Sequence, residues 1–99
     1  MIYDAVIVGA GVAGSAIARE LSRRQGRFLV LERAMDVCEG TSKANSAIVH
    51  AGFDAEPGSM KARMNVRGNA MMTQIAQELD VPFKRVGAWV VCLNQEDMP

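Results

Sequence analysis

Apolar and polar positions follow two different periods over the first 32 residues. Tyr3–Val8 is a short, mostly apolar and β-branched run closed by glycine, the pattern of a buried parallel strand. From Val12 to about Gln25 the period lengthens. Val12, Ala13, Ala16, Ile17 and Leu21 recur at helical spacing, which leaves Arg19, Glu20, Arg23 and Arg24 on the outer face. Gly26 is expected to end that helix. Phe28–Leu31 reads as a second strand, finishing on Glu32. Strand, helix and strand within so short a span predict a βαβ unit with a right-handed crossover.

The pattern then breaks. Residues 33–58 are rich in Gly, Ser, Thr, Asn, Ala and Asp, with one short apolar patch at Ala47–Val49. A long irregular stretch of this kind inside a domain is usually functional or disordered. Pro57-Gly58-Ser59 predicts a turn and an N-cap. A helix is expected from about 59 to 79, its core stripe formed by Met60, Met64, Met71, Met72, Ile75, Ala76 and Leu79. Lys61, Arg63 and Arg67 alternate with those positions and read as a solvated face. Asp80-Val81-Pro82 ends the helix, and Val86–Leu93 reads as another strand.

Composition narrows the classes. The chain has 99 residues, 49% of them apolar, with 11 basic and 11 acidic side chains. Neutral charge and five scattered aromatics argue against nucleic acid as a partner. Cys38 and Cys92 form no Cys-x-x-Cys pair, and a single histidine leaves a zinc or iron–sulfur site short of ligands. No metal is expected. Both cysteines read as reduced thiols, and the first apolar run is too short to span a bilayer, so a cytoplasmic protein is expected.

The chemistry concentrates at the turn between the first strand and the helix. Gly9-x-Gly11-x-x-Gly14 supplies three glycines with separate tasks. Gly9 permits the tight turn, Gly11 lets the backbone approach a pyrophosphate, and Gly14 lets the helix pack against the strand. The amides at the helix N-terminus, around Val12, Ala13 and Gly14, face the phosphates with a positive partial charge. Glu32 lies 18 residues beyond Gly14, placed to accept hydrogen bonds from ribose hydroxyls and to repel a 2′-phosphate. A glycine-rich turn between unrelated elements is the alternative. Strand, helix, second strand and acidic end nevertheless all fall where the fingerprint places them, and they point to a dinucleotide without choosing between FAD and NAD.

The following segment makes that choice through a resemblance. Gly40-Thr41-Ser42-Lys43-Ala44-Asn45-Ser46-Ala47-Ile48-Val49-His50-Ala51-Gly52, followed by Pro57-Gly58-Ser59-Met60-Lys61-Ala62, resembles the FAD-dependent oxidoreductases of the D-amino-acid-oxidase superfamily. It looks closest to the branch of anaerobic-type glycerol-3-phosphate dehydrogenases and L-2-hydroxyglutarate dehydrogenases. Val81-Pro82-Phe83-Lys84-Arg85 is similar to that branch too, so the likeness covers nearly the whole chain.

The resemblance implies an α/β fold. Residues 1–82 would be the N-terminal part of a Rossmann-like FAD/NAD(P)-binding domain, and residues 83–99 would open an antiparallel substrate domain. It also implies that Glu32 holds the adenosine ribose, with Arg33 near the adenosine. Thr41 and Ser42 would lie near the pyrophosphate, and Asn45, Ser46 and His50 would approach the flavin. The family usually has glycine where this chain has Ala47, so a positive φ there would be strained. His50 could orient substrate, take a proton from a hydroxyl or polarise the flavin; it could equally be a structural histidine in a loop.

Members of this superfamily are several times longer than this chain, so an N-terminal portion is expected, inactive alone and completed by the remainder of its own chain. Two functions remain open. One is the FAD-binding segment of a dehydrogenase or oxidase, moving hydride from a small hydroxy substrate to FAD and passing electrons to oxygen, a quinone or a partner subunit. The other is a stand-alone, non-catalytic dinucleotide-binding module.

Overall fold

A computed structural model describes residues 1–97. The chain divides into two compact units, Met1–Ile48 and Val49–Pro99. The first unit is α/β: strand β1 (Ala5–Val8), helix α1 (Val12–Leu21) and strand β2 (Phe28–Leu31). The two strands pair in parallel, with Ala5 opposite Phe28 and Val8 opposite Leu31. Backbone bonds lengthen the pairing at both ends. Asp4 N–H donates to Arg27 O at 2.9 Å and Gly9 N–H to Leu31 O at 2.7 Å, while the Asp4 carboxylate accepts the Arg27 N–H at 2.7 Å.

Only one face of this sheet is covered. Ile7 is 9% exposed whereas Val8 is 84% exposed, because α1 crosses one side and alternate strand residues point away from it. The expected two-faced burial is therefore half realised within the unit. Gly14 sets how close α1 comes. A Cβ built there would sit 1.9 Å from Gly9 O and 3.3 Å from the Ile7 side chain, so only glycine fits.

Helix α1 ends at Leu21, earlier than the expected Gln25. The Ser22 hydroxyl donates to Arg19 O at 2.7 Å, and the Arg23 and Arg24 amides take carbonyls three residues back. A serine that binds the preceding turn competes with helix continuation, which the apolar spacing alone does not register.

The second unit is built on helix α2 (Met60–Glu78). Its start follows expectation: the Ser59 hydroxyl accepts the Ala62 N–H at 3.1 Å, an N-cap preceded by Gly58 with φ +79°. The core stripe follows it only in part. Ala76 is buried, but Met60, Met64, Met71 and Leu79 are exposed. The more covered positions are Ala62, Asn65, Asn69, Met72, Ile75 and Ala76. Part of that face receives the preceding loop, whose Gly52 comes so close that a Cβ would lie 2.9 Å from Val66 and 3.5 Å from Ala62 O. Small and amide side chains admit the loop backbone, so this covered face is more polar than an apolar-periodicity argument expects.

Val86–Leu93 forms no strand, and only a 3-10 turn over Gln95–Asp97 follows. A strand exists by pairing its backbone, and the second unit holds no other strand among the described residues. No helix among the described residues is long and apolar enough to cross a membrane.

Candidate functional site

The turn after β1 is shaped by its glycines. Gly9 has φ +99°, which turns the chain sharply out of the strand. Gly11 has extended backbone and occupies the N-cap position of α1 without a side chain to cap it. A more distant residue does so instead. The Ser42 hydroxyl accepts the Val12 N–H at 2.9 Å, and a Cβ on Gly11 would press on that oxygen at 3.1 Å. The Ala13 and Gly14 amides have no acceptor among the described residues, since the first helical bond runs from Ser15 N–H to Gly11 O. Unpaired amides at a helix N-terminus attract an anion.

Glu32 closes the opposite side. One carboxylate oxygen accepts the Ala10 N–H at 2.8 Å and the other the Ala34 N–H at 3.0 Å. The Ala10 amide, then the Ala34 amide, hold this carboxyl below its ordinary value of 4.5, with Arg33 helping, so it is anionic at neutral pH. A carboxylate has about four lone-pair positions, so two remain for the hydroxyls of a sugar. Glu32 thus ties the end of β2 to the glycine turn as well as facing the site. Motif spacing shows the second task and hides the first.

Between these walls lies a cleft of about 610 Å³ in the first unit. It brings together Gly9, Gly11, Glu32, Arg33, Thr41 and Ser42, all singled out from sequence. It also includes Cys38 and Glu39, which were not. Cys38 takes φ +59° and directs both its N–H (3.1 Å) and its thiol (3.4 Å) to Ala10 O. The loop is thereby pinned to the same residue whose amide Glu32 holds. No sequence pattern announces that contact.

The remaining predicted residues stand elsewhere. Asn45 spends its amide on its own loop, donating to Ser42 O and accepting the Ala47 N–H at 2.7 Å. Ser46 is exposed. Ala47 has φ +55°, the left-handed backbone for which glycine is suited. His50 belongs to the second unit, where its Nδ1 lies 3.4 Å from Asp54 Oδ2. Cys38 and Cys92 are free thiols, and no group of three His, Cys, Asp or Glu among the described residues is placed to hold a metal ion.

This donor set fits a dinucleotide: open amides for a pyrophosphate, a turn in which a Cβ would intrude, and a carboxylate at the far wall for a ribose. Comparisons with known proteins agree. The sequence profile of the FAD dependent oxidoreductase family matches residues 4–99. A glycerol 3-phosphate dehydrogenase of Caloramator mitchellensis is 47% identical over 97 residues, covering 98% of this chain and 20% of that protein. A mitochondrial L-2-hydroxyglutarate dehydrogenase of Arabidopsis thaliana is 40% identical over 96 residues, covering 97% of this chain and 20% of that protein. The human protein of that name is 34% identical over 99 residues, covering 98% of this chain and 21% of its own length. The chain therefore spans about 20% of the length of the curated relatives it matches. It belongs to the FAD dependent oxidoreductase family, whose cofactor is FAD.

Proposed function

We propose that this chain holds the adenosine and pyrophosphate end of FAD for an enzyme that oxidises a small hydroxy substrate, glycerol 3-phosphate or a 2-hydroxy acid. The observation that supports it is one cleft lined by the Gly9–Gly11 turn, by Ser42, which caps α1, and by the Glu32 carboxylate. The Ala13 and Gly14 amides would bind the pyrophosphate, with the Ser42 hydroxyl, whose proton is not needed by Val12, donating beside them. Glu32 would accept from the ribose, and Arg33 and Thr41 would flank the adenosine and pyrophosphate. Bound FAD would supply the two-electron chemistry for oxidising the carbon that bears the hydroxyl.

His50 is the residue proposed to take the hydroxyl proton. An Nδ1–H directed at Asp54 would leave Nε2 as the free base. Asn45 and Ser46 are proposed toward the flavin. Residues 1–82 are proposed as the FAD-binding portion and 83–99 as the start of an antiparallel substrate domain. A quinone or a partner subunit is the proposed electron acceptor, and the cytoplasm the proposed compartment.

The test is FAD binding followed by flavin fluorescence. Glu32→Ala removes both the ribose acceptor and the tie to Ala10, and FAD affinity should fall by roughly tenfold or more, the scale of a lost hydrogen bond to a charged group. An affinity unchanged by the substitution would remove Glu32 from the site. Saturable FAD binding by the full-length protein that carries this chain, with no flavin reduction by any small hydroxy substrate, would favour a non-catalytic module instead.

A further inference from the structure

Asn69 stands in the middle of α2, half-covered, where an amide side chain is a poor helix former. Its surroundings explain it. The side-chain NH2 donates to two successive backbone carbonyls of the preceding loop, Val49 O at 3.4 Å and His50 O at 3.3 Å. Its Oδ1 accepts from Arg85 Nη1 at 2.7 Å, and its main-chain carbonyl accepts from Arg85 Nη2 at 2.6 Å. Arg85 Nε donates to Thr73 Oγ1 at 2.9 Å, one helical turn on, and the guanidinium lies over the Phe83 ring, 5.4 Å from its centroid.

These contacts form a chain with a direction. A guanidinium has donors only, so the end of the amide that faces Arg85 must be its oxygen. The NH2 end is then obliged to face the loop. Three stretches far apart in sequence, at 49–50, 69–73 and 83–85, are joined through one side chain. What Asn69 grips is the backbone of His50 itself, and the direction of a side chain follows from the backbone that carries it.

We infer that Asn69 is a positioning residue for His50, oriented by Arg85. Its functional meaning rests on the proposed role of His50; its structural content does not. The two bonds are long and shared, so each is weak alone. Together they act on adjacent carbonyls, limiting rotation of the His50 backbone on both sides.

Asn69→Asp separates this role from simple anchoring of Arg85. The carboxylate keeps an acceptor for Arg85 but loses the donor to the loop and sets an anionic oxygen against two carbonyls. Amide hydrogen exchange and the ring-proton NMR signal of His50, the single histidine of the chain, are the readouts. In Asn69→Asp, exchange of the Ala55 amide, which the loop holds on Gly52 O at 3.2 Å, should rise by roughly tenfold or more, and the His50 signal should move, while the interior of α2 stays protected. Asn69→Leu, which also loses the Arg85 contact, should raise exchange in both the loop and α2. Loop exchange and a ring signal unchanged in Asn69→Asp would overturn the inference. In the FAD-loaded enzyme, Asn69→Asp should slow flavin reduction at saturating substrate without altering FAD affinity. If His50→Ala leaves flavin reduction untouched, the proposed role of His50 fails, and the exchange result still decides that of Asn69.

Discussion

Ala47 carries φ +55°, and its N–H is held by Asn45 in a side-chain turn that enforces this backbone. Left-handed backbone costs a residue with a Cβ roughly 1–2 kcal/mol, against about 0.5–1 kcal/mol for the extra freedom glycine loses on folding. Ala47→Gly should therefore stabilise the protein by about 0.5–1 kcal/mol, seen as a higher urea midpoint. A midpoint that fell would mean the Asn45 turn already removes the strain. The position could be marked as unusual from sequence, because the resembling family usually has glycine there. The turn that makes it so could not, since it depends on where one amide points.

Elements tell the same story at larger size. The bounds of β2 and α2 and the Ser59 cap were legible because each rests on local pattern: a four-residue apolar run, helical spacing and a hydroxyl before it. Local pattern failed where an outside group decided. Ser22 cut α1 short through its own hydroxyl, and α2 turned Asn65 and Asn69 toward the loop rather than its methionines. The candidate site divides likewise. Glycine spacing revealed Gly9, Gly11 and Gly14, whereas Cys38 depends on the path of a loop. The tie between β2 and the glycine turn also has a measurable consequence. The Glu32 carboxyl is lowered below 4.5 in the folded chain, chiefly by the Ala10 amide. Its stabilising contribution is thus full above pH 4.5 and is lost as pH falls through the lower folded-state value. Urea unfolding below pH 4.5 should show stability falling with acid, and Glu32→Gln should flatten that slope. An unaltered slope in the variant would assign the acid sensitivity to other carboxylates.

At the scale of the whole molecule, much apolar surface faces solvent. Val6, Val8, Val30 and Leu31 are open in the first unit; Val86, Trp89, Val90, Val91 and Leu93 are open in the second. Exposed apolar patches of this kind commonly mark surfaces that another body covers. Trp89, the single tryptophan, is 97% exposed and reports on it directly. Acrylamide should quench its fluorescence nearly as well as that of free tryptophan, and covering the segment should shift emission to the blue. Protected, blue-shifted emission from the chain alone would contradict the exposed segment. The Ser42 cap on α1 carries a different consequence, one of assembly. Thirty residues separate that hydroxyl from the Val12 amide it serves. Joining them carries a loop-closure entropy that grows as about (3/2)RT ln n, a term that local helix formation avoids. The glycine motif and its helix can form early, but the anion site is complete only when the distant loop has come home. A peptide ending at Glu32 would have the motif without its cap, and a graft of the fingerprint into another protein would have to bring the loop with it.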